Sequence, residues 1–204
     1  MTELSPAQAW QRMLDGNHRF ANDLASEISH DASKRASLSE GQAPFALVFG
    51  CSDSRAAAEL IFDQGLGELF VVRTAGHVVD PGVLGSIEFG VEVLGAALIV
   101  VLGHDSCGAV VATMNAVDSG ELPGGYLRDI VERVLPSTLA VAAEDGELTT
   151  GSVVAEHVLQ TSRLLADRSQ VLARAIDDGK LAIVGATYQL AEGRVRAEGV
   201  IGEV

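Results

Sequence analysis

Four continuous runs of apolar residues constrain the fold of this 204-residue chain more than any other feature. They lie at about residues 45–50, 68–73, 96–102 and 181–187. Runs this short predict strands buried on both faces, as in a parallel sheet that is covered by helices. Helical stretches alternate with them, near residues 55–63, 82–95, 106–118, 126–135, 152–166 and 168–178. The alternation predicts an α/β fold with a mostly parallel central sheet flanked by helices.

The two ends of the chain add a helix and an edge strand to this predicted fold. Ser5-Pro6-Ala7-Gln8 has the residues of a helix N-terminus, with Ser as N-cap, Pro at the first position and Gln three residues on. We predict an N-terminal helical arm and connecting loop over residues 1–42, with an apolar stripe that has no obvious partner within the chain (Trp10, Met13, Leu14 and Phe20). The segment 194–201 alternates in polarity and predicts an antiparallel edge strand. Since no linker divides the chain, we expect a single domain over 1–204.

Charge and hydropathy argue against several classes of partner. A net charge of −14 argues against nucleic acids and anionic membrane surfaces, because both are bound by clustered Lys and Arg. The longest apolar stretches, such as 96–102, fall far short of the ~20 residues that cross a bilayer. The N-terminus has no basic segment followed by an apolar one, so we predict no signal peptide and a cytoplasmic protein.

The chain has two cysteines, and each lies at the end of a predicted strand. Cys51 opens Cys51-Ser52-Asp53-Ser54-Arg55, and Cys107 closes His104-Asp105-Ser106-Cys107. Because ligand sites of such sheets lie beyond the carboxyl ends of the strands, we expect Cys51, His104 and Cys107 to meet. Cys107 would fall in the first turn of the next helix, which favours the thiolate. Two thiolates and an imidazole, with one position left for water, indicate a catalytic zinc site.

Asp53 and Arg55 lie beside the first of these ligands. Beside zinc, Asp53 could either ligate the metal or accept a hydrogen bond from metal-bound hydroxide, and Arg55 could hold it in the second role. The alternative is structural: each cysteine taken singly could be a small buried hydrophobe, and the other two side chains a helix N-cap and a solvated charge. The joint placement of the cysteines and His104 favours metal.

Together, Cys51-Ser52-Asp53-Ser54-Arg55 and Gly103-His104-Asp105-Ser106-Cys107-Gly108 resemble the signature of the β-class carbonic anhydrases, a likeness that extends from the N-terminal helix to about Tyr188. The resemblance implies one Zn²⁺ per chain on Cys51, His104 and Cys107, and a catalytic dyad of Asp53 and Arg55. It also implies a lyase that converts carbon dioxide reversibly to bicarbonate and a proton by zinc-bound hydroxide.

The same resemblance implies a substrate pocket that a dimer partner helps to form. The matching positions are Gln42, Phe70, Ala75, Phe89 and Gly108. We therefore expect a homodimer or homotetramer whose N-terminal arm lies on a neighbouring subunit. In one subgroup of the family a Trp completes a regulatory bicarbonate site. Val48 stands at that position here, although Arg73 is present, so the chain resembles the other subgroup, which has an accessible active site.

Two other functions stay open at this point. The cysteines could act as a reversible dithiol in a non-catalytic zinc or redox sensor. The scaffold could also hydrolyse carbon disulfide or carbonyl sulfide. No proton shuttle is identified, because the remaining histidines are expected to be surface or packing residues (His18, His30, His77 and His157), with His77 the nearest to a strand end.

Overall fold

A five-stranded mixed sheet organises the part of the chain that the computed structural model describes, residues 4–28, 31–143 and 147–204. The strand order is β2-β1-β3-β4-β5, with every pair parallel except the last. The strands are β1 (Ala46–Cys51), β2 (Leu69–Thr74), β3 (Leu98–His104), β4 (Ala182–Gln189) and β5 (Arg194–Ile201). The predicted fold class is confirmed, including the antiparallel edge.

Burial explains why the apolar runs are continuous in some strands and broken in others. Every residue of β1 and β3 is buried, as is all of β4 except Gln189. Among the edge strands, β2 is mostly partly buried and β5 has only partly buried and exposed positions. A strand covered on both faces needs apolar side chains on both, whereas an edge strand does not.

Helices cover both faces of the sheet. One face, which carries Leu47, Phe49 and Val101, packs against α4 to α8, and the opposite face, which carries Val48 and Val100, packs against α1 and α3. The helices are α1 (Pro6–Ala21), α2 (Ala32–Ser37), α3 (Ala58–Ile61), α4 (Pro81–Glu88), α5 (Gly108–Ser119), α6 (Leu127–Ala142), α7 (Thr150–Arg168) and α8 (Gln170–Asp177). None of the helices in the described ranges combines the length and hydropathy needed to span a bilayer.

The helix predicted at 55–63 is wrong in extent, since only Ala58–Ile61 is helical. The residues before it form a turn. In this turn the Arg55 N–H donates to the Asp53 carboxylate at 2.9 Å, and the Ala56 N–H donates to the Asp53 carbonyl at 3.1 Å. The turn places the side chains of Asp53 and Arg55 beside the end of β1.

Two further helices end elsewhere than predicted. The helix expected at 126–135 continues through Pro136 to Ala142, because burial of Val141 (7% exposed) favours the last turns although the proline removes one hydrogen bond. The helix expected at 82–95 ends as α4 at Glu88, and a π-helical turn, Phe89–Val93, follows it.

The apolar stripe of α1 packs on its own chain, so the expectation that it lacks a partner there is wrong. Trp10 and Met13 are 8% and 0% exposed and belong to the core that includes Val48. The Asn17 side chain donates to the Gly193 carbonyl at 2.8 Å and accepts from the Val195 N–H at 2.9 Å. These contacts tie α1 to the β5 edge, and the stripe gives no argument for a second subunit.

Candidate active site

Adjacent parallel strands bring the predicted metal ligands together. Cys51 ends β1 and His104 ends β3, its neighbour in the sheet. Cys107 is the N-cap residue of α5, one position ahead of the first turn in which it was expected. The ligand atoms of the three side chains all lie within 4.8 Å of one another, and the three residues are buried.

The chemistry of this cluster fits a metal ion. Nδ1 of His104 lies 2.7 Å from the Asp105 carbonyl, which can only accept, so Nδ1 carries the proton and Nε2 has a free lone pair. Nε2 is buried and makes no hydrogen bond with the described residues, and such an atom is costly to leave unpaired. Two thiolates and one imidazole nitrogen suit zinc, with a position left for water.

The two thiols share their protons unequally. A hydrogen bond from Cys107 lowers the pKa of the Cys51 thiol, and that same contact raises the pKa of the Cys107 thiol. Burial lowers the pKa of His104, but the neighbouring Cys51, the Asp105 carbonyl and the Asp53 charge together outweigh it and raise that pKa overall. The cluster therefore retains protons that a metal cation would displace on binding.

Arg55 holds Asp53 at the solvent side of the cluster. Its Nε donates to Oδ1 at 2.9 Å and its Nη2 to Oδ2 at 2.7 Å, a bidentate pair of the strong, directional kind. This contact outweighs burial and holds the pKa of the Asp53 carboxyl well below its usual range. Asp53 is therefore an ionised acceptor in a fixed orientation.

Two of the predicted pocket residues lie at the same end of the sheet as the cluster. Ala75 directly follows Thr74, which pairs with Cys51, and Gly108 is the first residue of α5 after Cys107. Both residues are exposed. They form part of the surface around the ligands.

The structure does not bring the other three pocket residues to the cluster of the same chain. Phe70 pairs with Leu47, four residues before Cys51, which is about 13 Å along the strand. The Phe89 ring lies 6.2 Å from the Phe70 ring. Gln42 precedes β1 and lines a cavity of about 690 Å³ at the opposite end of the sheet.

Sequence reasoning missed two residues that hold the loop around Cys51. The Gly76 N–H donates to the Cys51 sulfur at 3.3 Å. Arg73 donates through Nε to the Cys51 carbonyl at 2.8 Å and through Nη2 to the Asp53 carbonyl. The glycine that follows β2 in Thr74-Ala75-Gly76-His77 was the available signal, because glycine at a strand end can take conformations closed to other residues.

The described histidines outside the cluster lie either on the surface or in the core. His18 is exposed on α1, and His77 is 0% exposed with both ring nitrogens unpartnered. His157 is 5% exposed, and His30 lies outside the described residues. His77 therefore cannot pass a proton directly to bulk water.

Comparison with known proteins decides the family. A family model described as carbonic anhydrase matches residues 46–195. The chain belongs to the carbonic anhydrase family. Carbonic anhydrase 2 of Mycobacterium tuberculosis is 51% identical over 204 residues, which is 100% of this chain and 98% of the relative.

Solved β-carbonic anhydrases share the fold. The Coccomyxa enzyme, solved in complex with acetazolamide, has a TM-score of 0.73 and is 25% identical, covering 97% of this chain and 86% of that one. A β-carbonic anhydrase described as tetrameric, from Sordaria macrospora, has a TM-score of 0.69 at 25% identity, over 93% and 96% of the two chains. The resemblance to the β class is confirmed, and zinc is the cofactor for which Cys51, His104 and Cys107 are positioned.

Proposed function

We propose that this protein catalyses the reversible hydration of carbon dioxide to bicarbonate and a proton, with zinc on Cys51, His104 and Cys107. The observation that carries the proposal is the buried donor set, in which His104 Nε2 makes no hydrogen bond with the described residues. The match to a carbonic anhydrase over the full 204 residues supports it.

The residues around the cluster have distinct roles in this proposal. Zinc, when bound, supplies a Lewis acid that lowers the pKa of a water in the open position. Asp53 accepts a hydrogen bond from the reacting water, and Arg55 keeps Asp53 ionised and prevents it from taking the open position itself. Ala75 and Gly108 leave the approach to that position free of large side chains.

We also propose that the pocket is completed by a second copy of the chain. The metal cluster lies at one end of the β2 edge, and Phe70 and Phe89 lie towards its other end. Two copies with antiparallel β2 edges would place the two rings of each beside the cluster of the other, together with Gln42. Phe89 is 46% and Val93 63% exposed in the single chain, and exposed apolar patches usually mark interfaces.

A homodimer is thus the smallest complete form in this proposal, and a homotetramer built from such dimers is compatible with it. The Sordaria macrospora enzymes, described as tetrameric, support assembly of this kind. We further propose that residues 1–204 act as a single catalytic domain in the cytoplasm. Support comes from one sheet on which α1 packs and from two buried thiols, which reducing compartments keep unoxidised.

Stopped-flow measurement of carbon dioxide hydration tests the proposed reaction. The zinc-loaded protein should hydrate carbon dioxide rapidly, lose the rate on chelation and regain it on addition of zinc. Carbon disulfide and carbonyl sulfide, assayed in parallel, should react far more slowly. Stoichiometric zinc without hydration would favour a sensor, and preference for a sulfur substrate would favour a hydrolase.

A further inference from the structure

A buried histidine on α7 contacts the loop that holds the Cys51 sulfur. We propose that His157 is a positioning residue of the zinc site, which fixes Gly76 so that the Gly76 N–H points at the Cys51 thiolate. The proposal rests on the proposed function only for the identity of the metal. It assigns to His157 a role beyond the packing expected from the sequence.

A continuous set of contacts links α7 to the metal cluster. Nε2 of His157 lies 3.0 Å from the Gly76 carbonyl, and the Gly76 N–H donates to Cys51 Sγ at 3.3 Å. On the other side of the ring, Nδ1 lies 3.0 Å from the hydroxyl of Ser137 on α6. The same hydroxyl donates to Oε1 of Gln160 at 2.9 Å. Two helices of the core therefore hold one glycine of the site loop.

The protonation state of the ring follows from these partners. A carbonyl oxygen can only accept, so Nε2 carries a proton and donates to Gly76. Burial lowers the pKa of His157 to about 4, so the ring is neutral near neutral pH and Nδ1 is an acceptor. The Gly76 carbonyl thus selects the tautomer whose N–H faces it, and Nδ1 faces the Ser137 hydroxyl, whose single proton also reaches Gln160 Oε1.

Gly76 needs such an anchor because of its backbone conformation. Its φ is +64°, a region that favours glycine, and a Cβ at this position would lie 2.6 Å from the Cβ of Ala109. The residue therefore has no side chain with which to fix itself. The hydrogen bond from His157 holds the Gly76 carbonyl. The N–H of the same glycine then faces the Cys51 sulfur.

The N–H contact fixes the direction of the Cys51 sulfur. It restricts the position of Sγ before metal arrives, as partners of metal ligands commonly do. Loss of the His157 donor should loosen Sγ and weaken metal binding without removing any ligand.

Four variants of the full-length protein test this inference with two measurements, zinc affinity by chelator competition and the thiolate-to-metal charge-transfer band of the Co²⁺-substituted protein. His157→Leu removes the donor, and we expect about 10-fold weaker zinc binding and a band at lower energy, because the sulfur electrons are less stabilised. His157→Gln keeps an N–H donor and should return both towards the parent values. Ser137→Ala should shift both in the same direction by a smaller amount.

Leu165→Ala is the matched control, because Leu165 lies on α7, is 0% exposed and is two turns from His157. It should lower thermal stability and leave both zinc affinity and the cobalt band unchanged. If His157→Leu and Ser137→Ala keep the parent band and affinity, the inference is wrong and the proposed function stands. If the parent protein binds neither zinc nor cobalt, both the inference and the proposed function are wrong.

Discussion

The Asp53 carboxylate lies 3.8 Å from Nε2 of His104, close enough to reach a metal held by that nitrogen. Its two oxygens are instead taken by Arg55 in a bidentate contact. In the proposed reaction, the guanidinium would therefore keep Asp53 from binding the metal in the place of water.

Removal of Arg55 should leave zinc in place and strongly reduce hydration. In Arg55→Ala the pKa of Asp53 rises towards its ordinary value, and Asp53 is free to turn towards the metal. Stopped-flow rates and zinc content of the purified variant measure the two effects. Lys180→Ala, which breaks an exposed ion pair with Asp178, is the control and should match the parent. An Arg55→Ala protein as active as the parent would refute the dyad.

Replacement of either cysteine by serine should abolish zinc binding and hydration together. A neutral hydroxyl is a poor substitute for a thiolate on zinc. Elemental analysis of Cys51→Ser and Cys107→Ser should find no stoichiometric zinc, whereas Ser52→Ala, an exposed neighbour, should retain one ion per chain. Full zinc occupancy in both serine variants would exclude this ligand set.

Complementation between two inactive variants tests the shared pocket. Cys51→Ser lacks a metal ligand but keeps Phe70 and Phe89, whereas the double variant Phe70→Ala and Phe89→Ala keeps the ligands. In a mixed dimer, one of the two sites combines intact ligands with intact rings. Co-refolded mixtures should therefore regain hydration, and a mixture of Cys51→Ser with Cys107→Ser should not. Failure of the first mixture despite dimers by light scattering would contradict a shared pocket.

The buried His157 should make the protein less stable in acid. Its pKa is about 4 in the folded state against 6.5 ordinarily, so the unfolded chain binds the extra proton first as pH falls. The stability is fully present above pH 6.5 and declines towards pH 4, by up to about 3 kcal/mol. Urea unfolding of the parent and of His157→Gln measures this, because the difference between their pH profiles cancels terms that they share. Parallel profiles would contradict the assignment.

We expect bicarbonate to inhibit as a product and without cooperativity. Val48, at the position of the regulatory Trp, is 1% exposed within the core. Arg73 donates to the carbonyls of Cys51 and Asp53. Initial rates against bicarbonate, with chloride at equal ionic strength as control, should fall hyperbolically. A steep sigmoidal loss of activity would assign the chain to the subgroup that has the regulatory bicarbonate site.

The strands and the cluster were predictable from sequence because each depends on local patterns that the sheet brings together. Buried strands produce continuous apolar runs, and parallel neighbours place Cys51 and His104 at one edge. The packing of α1 was not predictable. An apolar stripe such as that of Trp10 shows that one face of a helix is covered, but it does not show which element covers that face. The contact between His157 and Gly76 joins residues 81 positions apart, and no local pattern carries such a contact.

Both cysteines of the chain belong to the metal cluster, so the reactivity of its thiols reports whether zinc is bound. A thiol reagent has no other sulfhydryl to modify, so every modified thiol comes from a site that has lost its metal. The rate of labelling in the zinc-loaded protein then measures the rate of zinc dissociation. Because each chain has two thiols, half the total number of labelled thiols gives the number of sites.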